Sequence, residues 1–484
     1  MPTTVSELDT ILDTAVGASD AWARFTPAAR ADVLDAVADA LDAQAETLIP
    51  LAREESHLLL GRLTGELKRT TFQLRLFGEI LRDGGFLDAR IDHADPAWPM
   101  GARPDLRRHL EPIGPVLVFA ASNFPFAFST IGGDSASALA AGNSVVLKAH
   151  SGHPKLTVAT ADVVRSALSE AGAPDGLFQV ILGTDAGRSA VVDPRIKAAG
   201  FTGSIPGGRA LFDLASSRPD PIPFYGELGS NNPVFVTATA AERSTAEIRD
   251  GFIGSFTLGA GQFCTKPGTF IIPADSDLAT SLRSVALPDG AHLLNDRIVS
   301  GYAEVLGELK DDPRFTVLAE GSDPVSESPT PTLLRVSAED MLADPRALQR
   351  ECFGPTSVVV EYSSESQLVE LAETFEGQLT ATIFGEEGED LDELVRVLAA
   401  RAGRLLWRGW PTGVTVSYAQ QHGGPYPATT AVGSTSVGTA AITRFLRPVA
   451  YQDFPQSMLP ADLANANEWS APRLVDGKRS EPRR

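Results

Sequence analysis

The chain has 484 residues, 43% of them hydrophobic, which is enough to fill the cores of two or three domains. Its 62 acidic residues outnumber 41 basic ones, and the net charge of −21 argues against nucleic acid or an anionic membrane surface as a partner. No apolar run is long enough to span a bilayer, the start Met1–Glu7 is polar and acidic, and two distant cysteines make no disulfide framework, so a cytoplasmic globular protein is expected.

Thr26-Pro27 reads as an N-cap with proline in the first helical turn, followed by Val33, Leu34, Val37 and Leu41 at helical spacing. A second helix is predicted from near Thr64, with Leu67, Leu74 and Phe77 partly inward and Arg69, Gln73 and Arg75 along it, ending at Gly84-Gly85. Residues 89–108, with prolines and mixed charge, read as an irregular connector.

From Gly114 strands and helices alternate. Val116–Ala120, Ser144–Leu147, Phe178–Ile181 and Ala198–Thr202 read as buried strands, with helices at Asp134–Ala141, Lys155–Ala171 and through Leu211. Such βαβ units imply a parallel sheet covered on both faces, with ligands at the carboxyl ends of its strands, where Asn123, Lys148 and the Gly203 turn fall. A helix after Ala241 leads to Cys264. A second α/β region starts at Thr269–Ile272 and continues through Ser357–Val360, Leu379–Phe384 and the helix Leu391–Ala399. The expected class is α/β with two doubly wound, Rossmann-like parallel-sheet domains, over 1–244 and 245–430. The segment 431–484 follows them, and Lys478–Arg484 reads as loose.

The stretch Gly259-Ala260-Gly261-Gln262-Phe263-Cys264-Thr265-Lys266-Pro267-Gly268 sets one cysteine among small residues, either as a reachable nucleophile or as a buried small hydrophobe. Upstream lies Glu227-Leu228-Gly229 and downstream Glu351-Cys352-Phe353-Gly354-Pro355, in which Cys352 reads as a packing residue. With Asn123-Phe124-Pro125 and Phe201-Thr202-Gly203-Ser204 ahead of them, these ordered motifs resemble the aldehyde dehydrogenase superfamily from about Thr26 to Pro455. Gly261–Gly268 and His422-Gly423-Gly424-Pro425-Tyr426-Pro427-Ala428-Thr429 are similar to its α-ketoglutaric semialdehyde dehydrogenase branch.

The resemblance implies that Cys264 adds to an aldehyde, that Asn123 holds the resulting oxyanion, and that Glu227 is the base for thioester hydrolysis. Read alone, Asn123 is better placed to close an Asx turn ahead of Phe124-Pro125, and Glu227 reads as an exposed turn residue. The turn Gly203-Ser204 through Gly208, opening a helix, could cradle a pyrophosphate, although the strict Gly-x-Gly-x-x-Gly fingerprint is missing. The resemblance places Lys148 at the adenosine ribose, Leu228 beside the nucleotide, and Glu351 and Phe353 at the nicotinamide ribose and ring.

In much of the superfamily a glutamate stands three residues after that lysine. Here the position is Ser151, which removes repulsion of a 2′-phosphate, so NADP is expected, with NAD possible and Lys148 and His150 as candidate cations. Arg69 is the candidate for a distal carboxylate, on a helix that the resemblance puts at the substrate entrance. No metal is expected, since His150 and His153 lack further ligands at a zinc-like spacing. Residues 89–108 and part of the C-terminal segment are expected to make a small oligomerisation unit of a homodimer or homotetramer. The rival readings are a broad fatty or aromatic aldehyde dehydrogenase, and a non-catalytic binding or structural member of the same superfamily.

Overall fold

A computed structural model describes residues 1–480. Four helices come first: Val5–Trp22, Pro27–Ala43, Ala45–Ser56 and Leu60–Asp83. Thr26 caps the second as expected, its hydroxyl accepting from the Ala29 N–H. The fourth begins at Leu60 rather than near Thr64, because Leu59 offers no side-chain cap and so leaves no local signature. Its end is as read: Gly84 takes the left-handed conformation that closes a helix.

The first sheet is parallel throughout, in the order Phe178–Ile181, Val145–Lys148, Val116–Phe119, Ala198–Thr202, Phe224–Glu227. The chain starts in the middle at Val116–Phe119, builds outward on one side, then returns to build the other. The crevice at the carboxyl ends lies where that order reverses, which is the position a doubly wound sheet offers to a ligand.

The second sheet has seven strands, in the order Thr316–Glu320, Thr332–Ser337, Thr356–Tyr362, Thr269–Pro273, Val234–Val236, Gln378–Phe384, Ala402–Trp407. All its pairings are parallel except that of the edge strand Thr316–Glu320. Val234–Val236 already belongs to this sheet, so the chain changes sheets between Glu227 and Val234, ahead of the boundary expected at residue 245. The side-chain oxygen Oε1 of Gln378 fixes the change, accepting from the N–H groups of Asn231 (2.8 Å) and Asn232 (3.0 Å).

A third sheet joins distant parts of the chain, in the order Leu446–Gln452, Leu106–Pro112, Ala89–Asp92, Arg473–Val475, Lys478–Ser480. The stretch read as an irregular connector thus has strand at both ends, paired with the C-terminal segment, and irregular chain between them. Lys478–Ser480, read as loose, pairs antiparallel with Arg473–Val475; residues 481–484 lie outside the described part. Among the described residues no helix is long and apolar enough to cross a membrane.

Candidate active site

Backbone constraints set the position of Cys264. The helix Thr245–Thr257 passes into the short turn Leu258–Gly261, where Gly261 has φ +67°. A Cβ there would run into the Gly354 carbonyl, so glycine lets this loop lie against the Glu351–Pro355 segment. Lys266 ties the two together: its buried ammonium donates to the carbonyls of Cys352 (2.5 Å), Gly354 (3.1 Å) and Thr356 (2.7 Å). Asn232 Nδ2 donates to the carbonyls of Cys264 and Lys266, both at 2.9 Å.

Cys264 stands where two cavities meet. The larger, of about 440 Å³, runs along the carboxyl ends of the first sheet. Asn123, Lys148, Ser151, Gly203, Ser204 and Glu227 all line it. So do Leu228, Glu351 and Phe353. Asn123 Nδ2 donates to the Gln262 carbonyl at 3.1 Å, which leaves its second N–H uncommitted by that bond. Glu227 ends its strand at 5% exposure, with Oε2 unpartnered, and is no exposed turn residue. Ser204 caps the helix Ile205–Ser216 by accepting from the Gly207 N–H. Gly208 departs from expectation: it lies under the Leu228 side chain, and Gly207 takes the place on the cavity wall. Gly229 is a close-approach position, since any Cβ would strike the Glu351 carboxylate.

Burial dominates the electrostatics. It pushes the Cys264 thiol up to about 12, with Glu227 and Glu351 adding to the rise and Arg404 opposing it. Burial also raises the Glu227 carboxyl well above its ordinary range, against the pull of Arg444, and lifts Glu351 to about 7. Cys352 is buried in the second domain's apolar core, where its thiol is driven up to about 11.

His150, a candidate cation by sequence, is held neutral instead. Burial, together with His153, Lys148 and Arg297, drives it down to about 3, and its Nδ1 accepts from the Gly152 N–H at 3.0 Å.

The smaller cavity, of about 200 Å³, opens behind Cys264 and is lined by Arg62, Glu66 and Arg69 with Phe124, Phe128 and Phe263. Residues 62, 66 and 69 share one face of the helix Leu60–Asp83. Glu66 Oε1 accepts from the Phe126 and Ala127 N–H groups (2.8 and 3.0 Å), while Nε and Nη1 of Arg62 and both Nη of Arg69 are buried without a partner. Arg62 lies over the rings of Phe124 and Phe263, and Arg69 over Phe128. Arg62, two helical turns before Arg69, was legible from that spacing alone. Nothing in the linear pattern points to Arg404 or Arg297, and His422 stood out only as part of a motif.

A thiol placed between an amide donor and a buried carboxyl can add to a carbonyl and release the product by hydrolysis. The sequence profile of the Aldehyde dehydrogenase family matches residues 2–280. The chain belongs to the aldehyde dehydrogenase family. It is 43% identical to an alpha-ketoglutaric semialdehyde dehydrogenase of Acinetobacter baylyi, over 98% of this chain and 91% of that one. It is 41% identical to alpha-ketoglutaric semialdehyde dehydrogenase 2 of Azospirillum brasilense, over 98% and 92%. An NADP-dependent glyceraldehyde-3-phosphate dehydrogenase from Bacillus halodurans, solved with NADP, has the same fold: TM-score 0.77 at 19% identity, covering 93% of this chain and 91% of that one.

As an aldehyde dehydrogenase the protein oxidises an aldehyde with a nicotinamide cofactor. The large cavity fits such a dinucleotide: a helix N-terminus opens on it beside Gly203, and Lys148, Arg188 and Arg297 on its wall have no carboxylate partner among the described residues.

Proposed function

We propose that this aldehyde dehydrogenase is a cytoplasmic homo-oligomer that oxidises a semialdehyde with a distal carboxylate, α-ketoglutaric semialdehyde to α-ketoglutarate, using NADP. The observation that carries the substrate is the pair of buried guanidinium groups, Arg62 and Arg69, with unpartnered donors behind Cys264. Two cations face the single carboxyl of Glu66, so an ionised Glu66 leaves one positive charge for one distal carboxylate. An alkyl or plain aromatic chain would leave those donors unsatisfied, and a site built for hydrogen bonding rejects analogues that lack the partner.

In this reading the Cys264 thiol releases its proton to solvent as its sulfur bonds to the aldehyde carbon, and the carbonyl oxygen, turned anionic, is held by Asn123 Nδ2 and a backbone N–H. A nicotinamide held by Lys148, Ser151, the Gly203-Ser204 turn, Leu228, Glu351 and Phe353 supplies the hydride acceptor. Glu227 then takes a proton from the water that cleaves the thioester, and the carboxylate leaves. Gly208 supports the cradle by giving Leu228 room. NADP is favoured by Ser151, an exposed hydroxyl on the cavity wall where a carboxylate would repel a 2′-phosphate. The third sheet, with its edge strand Leu446–Gln452, is the proposed site of homodimer or homotetramer assembly.

Steady-state kinetics test the substrate. Arg69→Ala should raise KM for acidic semialdehydes by about tenfold or more while changing neutral aldehydes of equal length little. Equal effects on both classes, or a wild-type preference for long alkyl aldehydes, would overturn the assignment.

A further inference from the structure

The large cavity has two ends of different charge. Its lining carboxyl groups, Glu227 and Glu351, both act on the Cys264 thiol and so belong to the cysteine end. The far end is formed by Lys148, His150 and Ser151 at the carboxyl end of the strand Val145–Lys148, and by Asn295, Arg297 and Ile298 from the start of the helix Asp296–Asp311. That helix belongs to the second domain, so its first turn reaches across to the first. The contact is close: a Cβ placed on Gly152 would lie 3.0 Å from Asn295 Nδ2. The Lys148 stem runs over Gly187, 3.1 Å from where a Cβ would stand there.

Two cations held near each other repel, and Lys148 carries the effect. Lys148 is lowered from its ordinary value first by burial and then by Arg297, and the same guanidinium helps keep His150 uncharged. In a chain of 62 acidic residues, Lys148 and Arg297 form no ion pair within the described residues. Lys148 is partly buried without a counter-ion and Arg297 stands on the same cavity wall, so an anion placed between them would be attracted by both.

We infer that Arg297, reaching from the second domain, closes with Lys148 and Ser151 around the 2′-phosphate of the cofactor. The inference rests on the NADP reading above and extends it: the phosphate is gripped from both domains, Lys148 supplying a point charge and Arg297 a planar fork. Neutral His150 completes the wall as a hydrogen-bonding group. With NAD the same arginine has no anion to meet, so cofactor choice depends on a residue outside the nucleotide-binding sheet.

Calorimetric titration of the full-length protein with adenosine 2′,5′-bisphosphate and with adenosine 5′-phosphate isolates the 2′-phosphate without any turnover. Wild type should bind the bisphosphate at least tenfold more tightly, with the margin shrinking as salt is raised. Arg297→Gln should lose most of that margin and keep its affinity for adenosine 5′-phosphate; Arg297→Lys should keep part of the margin. Arg297 is exposed, so neither change threatens folding. A wild type that does not distinguish the two probes would overturn the NADP reading itself. A wild type that does, with Arg297→Gln equally discriminating, would overturn the assignment of Arg297 alone.

Discussion

The Cys264 sulfur lies 3.6 Å from Nε2 of His422, a residue 158 positions further along the chain. His422 is buried, at 3% exposure, and is driven down to about 3 by that burial and by Arg404, Arg69 and Arg444. It is therefore a neutral imidazole throughout the working pH range, able to orient the thiol but carrying no charge to lower its pKa. His422→Ala should reduce kcat by about tenfold or more, with His422→Gln recovering part of it. In the free enzyme the thiol, raised to about 12, should react with iodoacetamide about tenfold faster for each pH unit gained between 7 and 10. An inflection near pH 6.5 that disappears in His422→Ala would contradict a neutral imidazole.

Glu227 must lose its proton before it can act as a base, and burial holds that proton on, with Asp134 adding to the effect. The acid limb of kcat should accordingly fall well above the ordinary glutamate value of about 4.3, with rate rising as pH rises through it. Glu227→Gln should remove the limb, leaving a first burst of reduced cofactor and slowing turnover by about 100-fold or more. Pre-steady-state absorbance at the reduced-nicotinamide band reads both effects. A variant with no burst would place Glu227 before the thioester rather than after it.

Ser151 is a single-residue test of cofactor choice. Ser151→Glu should cut the NADP-to-NAD ratio of kcat/KM by about tenfold or more, since the new carboxylate would face a 2′-phosphate across a short distance. Dehydrogenase assays with both cofactors over the same range give the ratio directly. No shift, or a wild type that strongly prefers NAD, would show that other residues choose the cofactor.

The third sheet carries a buried titratable cluster. His109 Nδ1 is 2.8 Å from Asp462 Oδ2 and its Nε2 is 3.1 Å from Glu111 Oε1, which the Tyr451 hydroxyl also meets at 2.5 Å. Burial alone would lower His109, but the two carboxylates outweigh it and hold the imidazole above its ordinary value. A raised folded pKa stabilises in full below the unfolded value of about 6.5, and the contribution fades as pH rises through the folded value. His109→Gln should cost roughly 1–3 kcal/mol near pH 5.5, and the gap to wild type should narrow as pH rises. Chemical denaturation at several pH values measures it; a constant gap would mean that His109 does not titrate with folding.

The local pattern was sufficient wherever one segment's composition decides its conformation. The apolar runs at Phe178–Ile181 and Ala198–Thr202 are strands to the residue, Thr26-Pro27 starts a helix, and Gly84 ends one. The motif order also led to the family, because close-approach glycines such as Gly261 leave a mark that survives in the linear chain. Three-residue Val234–Val236 carries too little periodicity to reveal which sheet it joins; that is decided by parallel pairing with Thr269–Pro273 and Gln378–Phe384. The strands Ala89–Asp92 and Leu106–Pro112 pair with each other, but their outer ladders come from Arg473–Val475 and Leu446–Gln452, hundreds of positions away.

Charge state belongs to the same class of non-local facts. From sequence His150 is an available cation, and only its burial beside Lys148 and Arg297 makes it neutral. Arg62 and Arg69 are buried behind Cys264 with donors left unpaired only because the fold packs their helix there. Which residues could do chemistry was written in the chain. Which of them face one another, and at what cost in desolvation, depended on packing that brings distant segments of the chain to one cleft.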